Sequence, residues 1–260
     1  MKKNIICKLT MLFVVALFAA CSEDEGTDVG SDGTPRVTVY QYTPDAPYNA
    51  DNDVRVRFAV NNKVESLYYL AEAAADKAER LKQLGETGYA AYVVDNGTKV
   101  DIPEGELSVD VVITDIKGEY SITAVAVSGG AKPLAATTFV GYDWVKVKNA
   151  YSQMNVFTGE EVETELQYAS VVKLYRVLDP WGTGVSIVFS WDGGERVTFA
   201  NSSIATGWMH PNYGEVTFNP SSGNSGYNAA YNAFVFSGEW TVSAGSFGAA
   251  DGVVYLEDLE

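Results

Sequence analysis

The sequence predicts an all-β protein of two domains, and three observations carry that prediction. Apolar and polar residues alternate over short runs, as in Val54, Val56, Phe58 and Val60 against Arg55 and Arg57, the period of half-buried strands. Turn-forming clusters such as Asp95-Asn96-Gly97 and Asp192-Gly193-Gly194 punctuate the runs. A helical period stands out at one place, near residues 73–84, and none competes beyond residue 143. The 260-residue chain is 47% hydrophobic and 12% aromatic with only 8 Pro, a composition that suits packed cores and not disorder.

The first domain is expected over residues 35–142. Val37 and Val39 alternate with Thr38 and Tyr40 to open it, a loop marked by Pro44, Asp45, Pro47 and residues 49–53 follows, and Val54 to Val60 is the second strand. Residues 66–70 read as a third. Leu70, Ala74, Ala78, Leu81 and Leu84 then recur at three- and four-residue steps, Asp76 precedes Arg80 by four, and Gly85 follows. That spacing predicts one amphipathic helix over 73–84 ended by glycine. Strands are expected to resume at 89–94, turned by Asp95-Asn96-Gly97, and to continue at 109–114, 120–127 and 137–142.

The second domain, residues 143–260, is richer in Trp, Gly, Asn and Ser. Its strands are expected at 144–148, 162–168, 171–178, 185–191, 196–200, 215–219, 233–237, 240–244 and 252–256, which makes it a β-sandwich or small barrel. Trp191 and Trp240 alternate with Ile187, Phe189 and Val242, and this phase assigns both indoles to the core.

The start of the chain reads as an export signal. Lys2, Lys3 and Lys8 precede an apolar run from Met11 to Ala20, about ten residues long, whereas a spanning helix needs roughly 20. Phe18-Ala19-Ala20-Cys21 resembles a bacterial lipoprotein lipobox, and the acidic Ser22-Glu23-Asp24-Glu25 after it is similar to the surface-export tags of Bacteroidetes lipoproteins. The resemblance implies a signal peptide over 1–20, a lipid anchor on Cys21, and an outer-membrane protein facing the extracellular medium. Residues 21–34, acidic and poor in large apolar side chains, read as a flexible tether. Gly118 to Val127, with Tyr120 near its start, resembles the penultimate strand of immunoglobulin-like and fibronectin type III-like domains. The first domain is accordingly expected to be an Ig-like β-sandwich with one inserted helix, and Tyr120 to be a corner tyrosine bonded to nearby backbone. Lys173 to Pro180 is similar to a Tyr-Arg-aliphatic-Asp-Pro segment in C-terminal β domains of uncharacterised Bacteroidetes lipoproteins; it supplies no function.

Charge and chemistry narrow the role. The formal charge is −16 with the leader counted, a field that repels nucleic acid and anionic membrane surfaces alike. Cys7 lies in the leader and Cys21 is the lipid site, so the two domains have no thiol for a disulfide, a redox pair or a thiolate metal site. One histidine, His210, would have to serve any Ser-His-Asp device, and no Gly-x-Ser-x-Gly elbow accompanies it. Asp51-Asn52-Asp53 offers oxygens to calcium without EF-hand spacing and reads as an ordinary loop. Neither a catalytic set, a cofactor nor a metal is expected.

The suggestive feature is aromatic. Trp181, Trp208, His210, Tyr213, Tyr227 and Tyr231 lie in turn-like stretches interleaved with Asn212, Asn219, Asn224, Asn228 and Asn232. Flat rings stack on the apolar faces of sugars while amides bond hydroxyls; the competing account is core or rim packing. The expected function is a non-catalytic cell-surface lipoprotein whose second domain binds glycan or another surface protein, the first domain being its spacer. An adhesin or transporter-complex subunit is the second class, and a glycoside hydrolase built on a carboxylate pair is the third.

Overall fold

In the computed structural model, residues 33–257 are described; the leader, Cys21 and most of the tether lie outside them. The chain is all-β apart from one helical stretch, as two β units in succession. The first comprises β1 (Val37–Tyr42), β2 (Val54–Val60), β3 (Ser66–Ala73), α1 (Ala74–Asn96), β4 (Thr98–Val100), β5 (Ser108–Ile113), β6 (Gly118–Val127) and β7 (Leu134–Gly141). Its two sheets have the orders β1-β2-β5 and β4-β3-β6-β7, a β-sandwich with the helix inserted between β3 and β4. Val54, Val56 and Phe58 from one sheet meet Leu67, Ile122 and Ala124 from the other, because alternate residues of a strand share a face.

The helix departs from expectation in a way the burial explains. Gly85 does not end it; at φ 66° it breaks the helix, which then resumes to Asn96. The strand expected at 89–94 is this second helical segment. Its Tyr89, Ala90 and Val93 are buried against Val125, a stripe at helical spacing, and covering the outer face of β6 outweighs the strand preference of its aromatic and β-branched residues. For the same reason residues 121–126 of β6 are buried on both faces. Asp95-Asn96-Gly97 is thus no hairpin: the Gly97 N–H caps the helix by donating to Val93 O at 2.8 Å. Tyr120 packs on the sandwich core, but its hydroxyl has no hydrogen-bond partner among the described residues, so the corner expected of it is absent.

Polar groups pin the helix to the sheet. Glu72 on β3 is 9% exposed; it accepts from the Tyr89 hydroxyl at 2.6 Å and pairs with Arg80. Tyr89 also lies 3.2 Å from Thr123 Oγ1, and Lys77 Nζ donates to Ser121 Oγ at 2.9 Å.

The second unit comprises β8 (Val145–Gln153), β9 (Val162–Ala169), β10 (Leu174–Val177), β11 (Ile187–Trp191), β12 (Val197–Phe199), β13 (Ile204–His210), β14 (Gly214–Pro220), β15 (Gly226–Asn228), β16 (Ala233–Val242) and β17 (Gly245–Glu257). Every pairing is antiparallel, in a 10-stranded sheet of order β12-β11-β10-β9-β8-β17-β16-β14-β13, with β15 also on β16. The sheet curls until its flanks meet at a narrow seam. There Arg196 bridges Gly226, and the Tyr227 N–H donates to Glu195 O at 2.9 Å. The result is a small barrel of up-and-down strands, an arrangement that shields sheet edges. Its interior is filled by side chains, among them Phe189, Phe218, Phe234, Phe236 and Trp240, as expected at this barrel size. Residues 204–210, which no strand was expected to contain, form β13.

The joint between the units is a small polar clamp. Asp51 Oδ2 accepts from Trp144 Nε1 at 2.8 Å and from Arg176 at 3.1 Å, while the Arg176 guanidinium lies 4.4 Å from the Trp144 ring centre. Asn52 donates to Ile116 O and Tyr142 O, and Asp53 accepts from the N–H groups of Asn49 and Asp115. Polar groups of this loop are therefore engaged within the protein. Burial lowers the Arg176 pKa, opposed by Asp51 and Glu165; the side chain stays charged because guanidinium starts so high. Arg176→Ala is expected to loosen the joint by about 1–2 kcal/mol. Small-angle scattering should then report a broader distribution of distances, and Asp51→Ala should broaden it further because it also removes the acceptor of Trp144 Nε1.

Candidate functional site

The antiparallel order places the barrel's connections at two ends. Residues 154–161, 178–186, 211–213 and 243–244 connect strands at one end; residues 170–173, 192–196 and 229–232 connect them at the other, beside the seam. The six aromatic residues picked out by sequence divide between these ends and do not form one site.

At the first end Trp208, His210 and Tyr213 come together. Alternation along β13 turns Ile204, Thr206, Trp208 and His210 to one side, so the rings expected in a loop close the barrel mouth instead. Phe157 stacks on Trp208 at 5.2 Å, Phe247 stacks on His210 at 5.3 Å, and Tyr213 lies 4.8 Å from His210. His210 Nδ1 accepts from the Asn212 N–H at 3.2 Å, which fixes the ring. Phe157 and Phe247 were not singled out by sequence, because only the pairing of distant strands brings them here. Trp181, expected to face a ligand, is 5% exposed. It is core: its ring packs near Phe218 and Trp240, since Asp179 caps the Thr183 and Gly184 N–H groups and folds residues 179–184 inward over the barrel.

The seam end holds the larger recesses. One, of 620 Å³, is lined by Tyr168, Lys173, Tyr175, Ser190, Trp191, Asp192, Gly193, Arg196 and Thr198. A second, of 590 Å³, shares Gly193 and adds Glu195, Tyr227 and Asn228. Both volumes are in the range of ligand clefts. Register builds the wall: Tyr168 pairs with Tyr175, and Tyr175 with Phe189, placing their rings on one face. Tyr175 lies 4.6 Å from Tyr168 and 5.4 Å from Trp191, and Trp191 lies 5.0 Å from Tyr227. Trp191, assigned to the core by its alternation, is only half-buried; it is the last residue of β11, and its Nε1 donates to Gly194 O in the adjacent turn at 2.7 Å. Being next to Asp192-Gly193-Gly194 was the available signal for a rim position. Tyr231 is 72% exposed on the turn beyond Tyr227, whose hydroxyl bonds Asn232 at 2.8 Å.

Polar groups converge on this wall. The hydroxyls of Tyr168 and Tyr175 have no hydrogen-bond partner among the described residues, and burial, with Tyr168 adjacent, raises the Tyr175 pKa, so its phenol stays protonated at neutral pH. Asp192 is turned into its own hairpin, accepting from the Gly194 N–H at 2.9 Å. The arrangement can stack a ring and bond its hydroxyls. Among the described residues the buried carboxylates are Asp53 and Glu72, both in the sandwich and both engaged as above; no group of three or more His, Cys, Asp or Glu could hold a metal ion, and no helix is long and apolar enough to cross a membrane.

Fold and site together define a two-unit β protein: a β-sandwich with an inserted helix, clamped to a small meander barrel with aromatic recesses at the seam. No family model, no curated protein and no solved structure matches the chain.

Proposed function

We propose that this is a non-catalytic lipoprotein of the bacterial cell surface, anchored in the outer membrane through Cys21 and facing the medium, whose barrel binds glycan at the seam end. One observation carries the binding half. Tyr168, Tyr175, Trp191 and Tyr227 form a continuous aromatic wall along two adjoining open recesses, and the hydroxyls of Tyr168 and Tyr175 have no partner among the described residues. Sugars present an apolar ring face and a polar rim to such a wall. The sandwich serves as a spacer that holds the barrel away from the lipid.

Affinity electrophoresis of the full chain through gels containing plant, microbial and mucin-type polysaccharides tests the reading. At least one glycan should retard the protein, and Tyr175→Ala or Trp191→Ala should weaken retardation roughly tenfold or more, the loss of about 1.4 kcal/mol, with circular dichroism confirming the fold. No retardation by any glycan ends the proposal. The anchor is tested separately, by mass spectrometry of the native protein for acyl chains on Cys21. A second reading, contact with a surface protein as an adhesin or transporter-complex subunit, takes support from the opposite end, where Met209 is 62%, Tyr213 51% and Phe247 42% exposed. Co-purification with one partner at fixed stoichiometry, abolished by Tyr213→Ala, would favour it.

A further inference from the structure

The seam-end recess carries a charge that the aromatic wall alone does not account for. Arg55, Arg57, Arg80 and Arg176 each meet a carboxylate, those of Asp45, Asp110, Glu72 and Asp51. Arg196 meets none among the described residues, although acidic residues number 34 against 18 basic ones in the chain. Lys173, across the same recess, is likewise without a carboxylate or a hydrogen-bond partner for its ammonium.

Their positions are built, not incidental. The Arg196 backbone is held at the barrel seam by its bridge to Gly226, between the Glu195 carbonyl bonded by Tyr227 and the Val197 N–H. Lys173 stands in the left-handed region at φ 56° in the tight β9–β10 connection, a conformation uncommon for a residue with a long side chain. Tyr168 and Tyr175 lie on the strands flanking that connection and Trp191 on the strand next to Arg196, so the two cations bracket the stacking face. Asp192 is the one carboxylate lining the recess, and its Oδ1 is engaged by the Gly194 N–H. Glu195 lines the neighbouring recess, on the far side of the Gly193 turn from Lys173.

We propose that this recess takes an acidic sugar: a pyranose that stacks on Tyr175 and Trp191 and presents a carboxylate or sulfate to Arg196 and Lys173. Guanidinium matches either anion with two parallel N–H donors, and an ammonium adds a point charge. The phenols of Tyr168 and Tyr175, with Ser190 and Thr198 on the same lining, meet the sugar hydroxyls. This inference rests on the glycan reading of the same wall and narrows it to one charge class.

The experiment is affinity electrophoresis of the full chain against polygalacturonate, alginate, hyaluronan and chondroitin sulfate, beside fully methyl-esterified polygalacturonate and dextran as neutral polymers, at low and at 0.5 M salt. At least one acidic polymer should retard the protein at least tenfold more strongly than the neutral ones, and salt should remove most of the difference. Arg196→Gln and Lys173→Gln, both at exposed side chains, should each cut that retardation about fivefold or more and reduce weak neutral binding by much less; Trp191→Ala should reduce both alike. Retention of carboxylated polymers without chondroitin sulfate assigns a carboxylate ligand, and preference for chondroitin sulfate over hyaluronan assigns a sulfate. Equal retardation by polygalacturonate and its ester where they bind, or full acidic binding by Arg196→Gln and Lys173→Gln together, overturns the inference. Retention by neutral glycans alone overturns it and leaves the glycan reading intact, whereas no retention by any polymer ends both.

Discussion

Replacing Glu72 by alanine is expected to destabilise the sandwich by about 2–4 kcal/mol. The carboxylate is 9% exposed and is the acceptor for a Tyr89 hydroxyl in a residue that has no exposed surface. Its loss leaves that hydroxyl with only Thr123 nearby and removes the partner of Arg80. Arg80 is itself partly exposed, so water recovers some of its solvation, and the larger part of the cost is the buried phenol and the space left behind. Urea unfolding of the full chain should show the sandwich transition moving to lower denaturant while the barrel transition stays. Glu72→Gln, which retains an acceptor, should recover roughly half the loss; equal midpoints for wild type and Glu72→Ala would show that apolar packing of Tyr89, Ala90 and Val93 alone holds the helix.

The same network sets an alkaline limit. Burial first, and the Glu72 carboxylate second, hold the Tyr89 hydroxyl far above the ordinary phenol value. A group with a raised folded-state pKa keeps its stabilising contribution below its unfolded pKa and loses it as pH rises from there through the folded value. The sandwich should therefore weaken above about pH 10, the ordinary tyrosine value. Burial lowers the Lys77 pKa and so acts in the opposite sense. Tyr89→Phe should flatten this alkaline slope in pH-dependent urea melts.

Gly226→Val is expected to open the barrel seam, at roughly 2–3 kcal/mol. A Cβ at this position would collide with the Glu195 carbonyl oxygen and come within 3.0 Å of its carbon, both backbone atoms that cannot swing aside. The collision falls where Arg196 bridges Gly226 and where Tyr227 bonds Glu195, so relief requires parting β12 from β15. Hydrogen exchange should show loss of protection at the Tyr227 amide, with strands β8, β9 and β17 unaffected. Gly223→Ala, three residues earlier with open space around its Cβ, should be neutral, which separates a seam effect from a general intolerance of side chains in this loop. Because Arg196 and Tyr227 flank the recesses, glycan retention should fall with seam protection.

Much of the strand pattern is readable from residue order because its cause is local. Val54, Val56 and Phe58 face the core and Arg55 and Arg57 face water whatever their partner strand, since the pleat alone sets that phase. Asp192-Gly193-Gly194 opens the turn between β11 and β12, and the helix begins where its spacing says. Most misreadings fall where a distant segment intervenes, and the rest, at Trp181 and Trp191, where a local turn redirects the ring. Residues 89–94 became helix because β6 offered an apolar outer face to cover; Trp181 went inward because Asp179 folds its loop over the barrel; Trp208 and His210 closed a mouth because residues 204–210 found β14 to pair with.

Residue order by itself determined that the chain is all-β with one helical interruption, strongly acidic and without thiols in its folded units, and it marked Cys21 as the expected anchor. Only the tertiary structure decided which rings share a wall. Tyr168, Tyr175, Trp191 and Tyr227 span sixty residues of chain and meet through strand register and seam closure, and one-residue slips in register would turn each ring to the other face. Which cations stay unpaired was settled there too, because an ion pair depends on distances across strands that no linear spacing encodes.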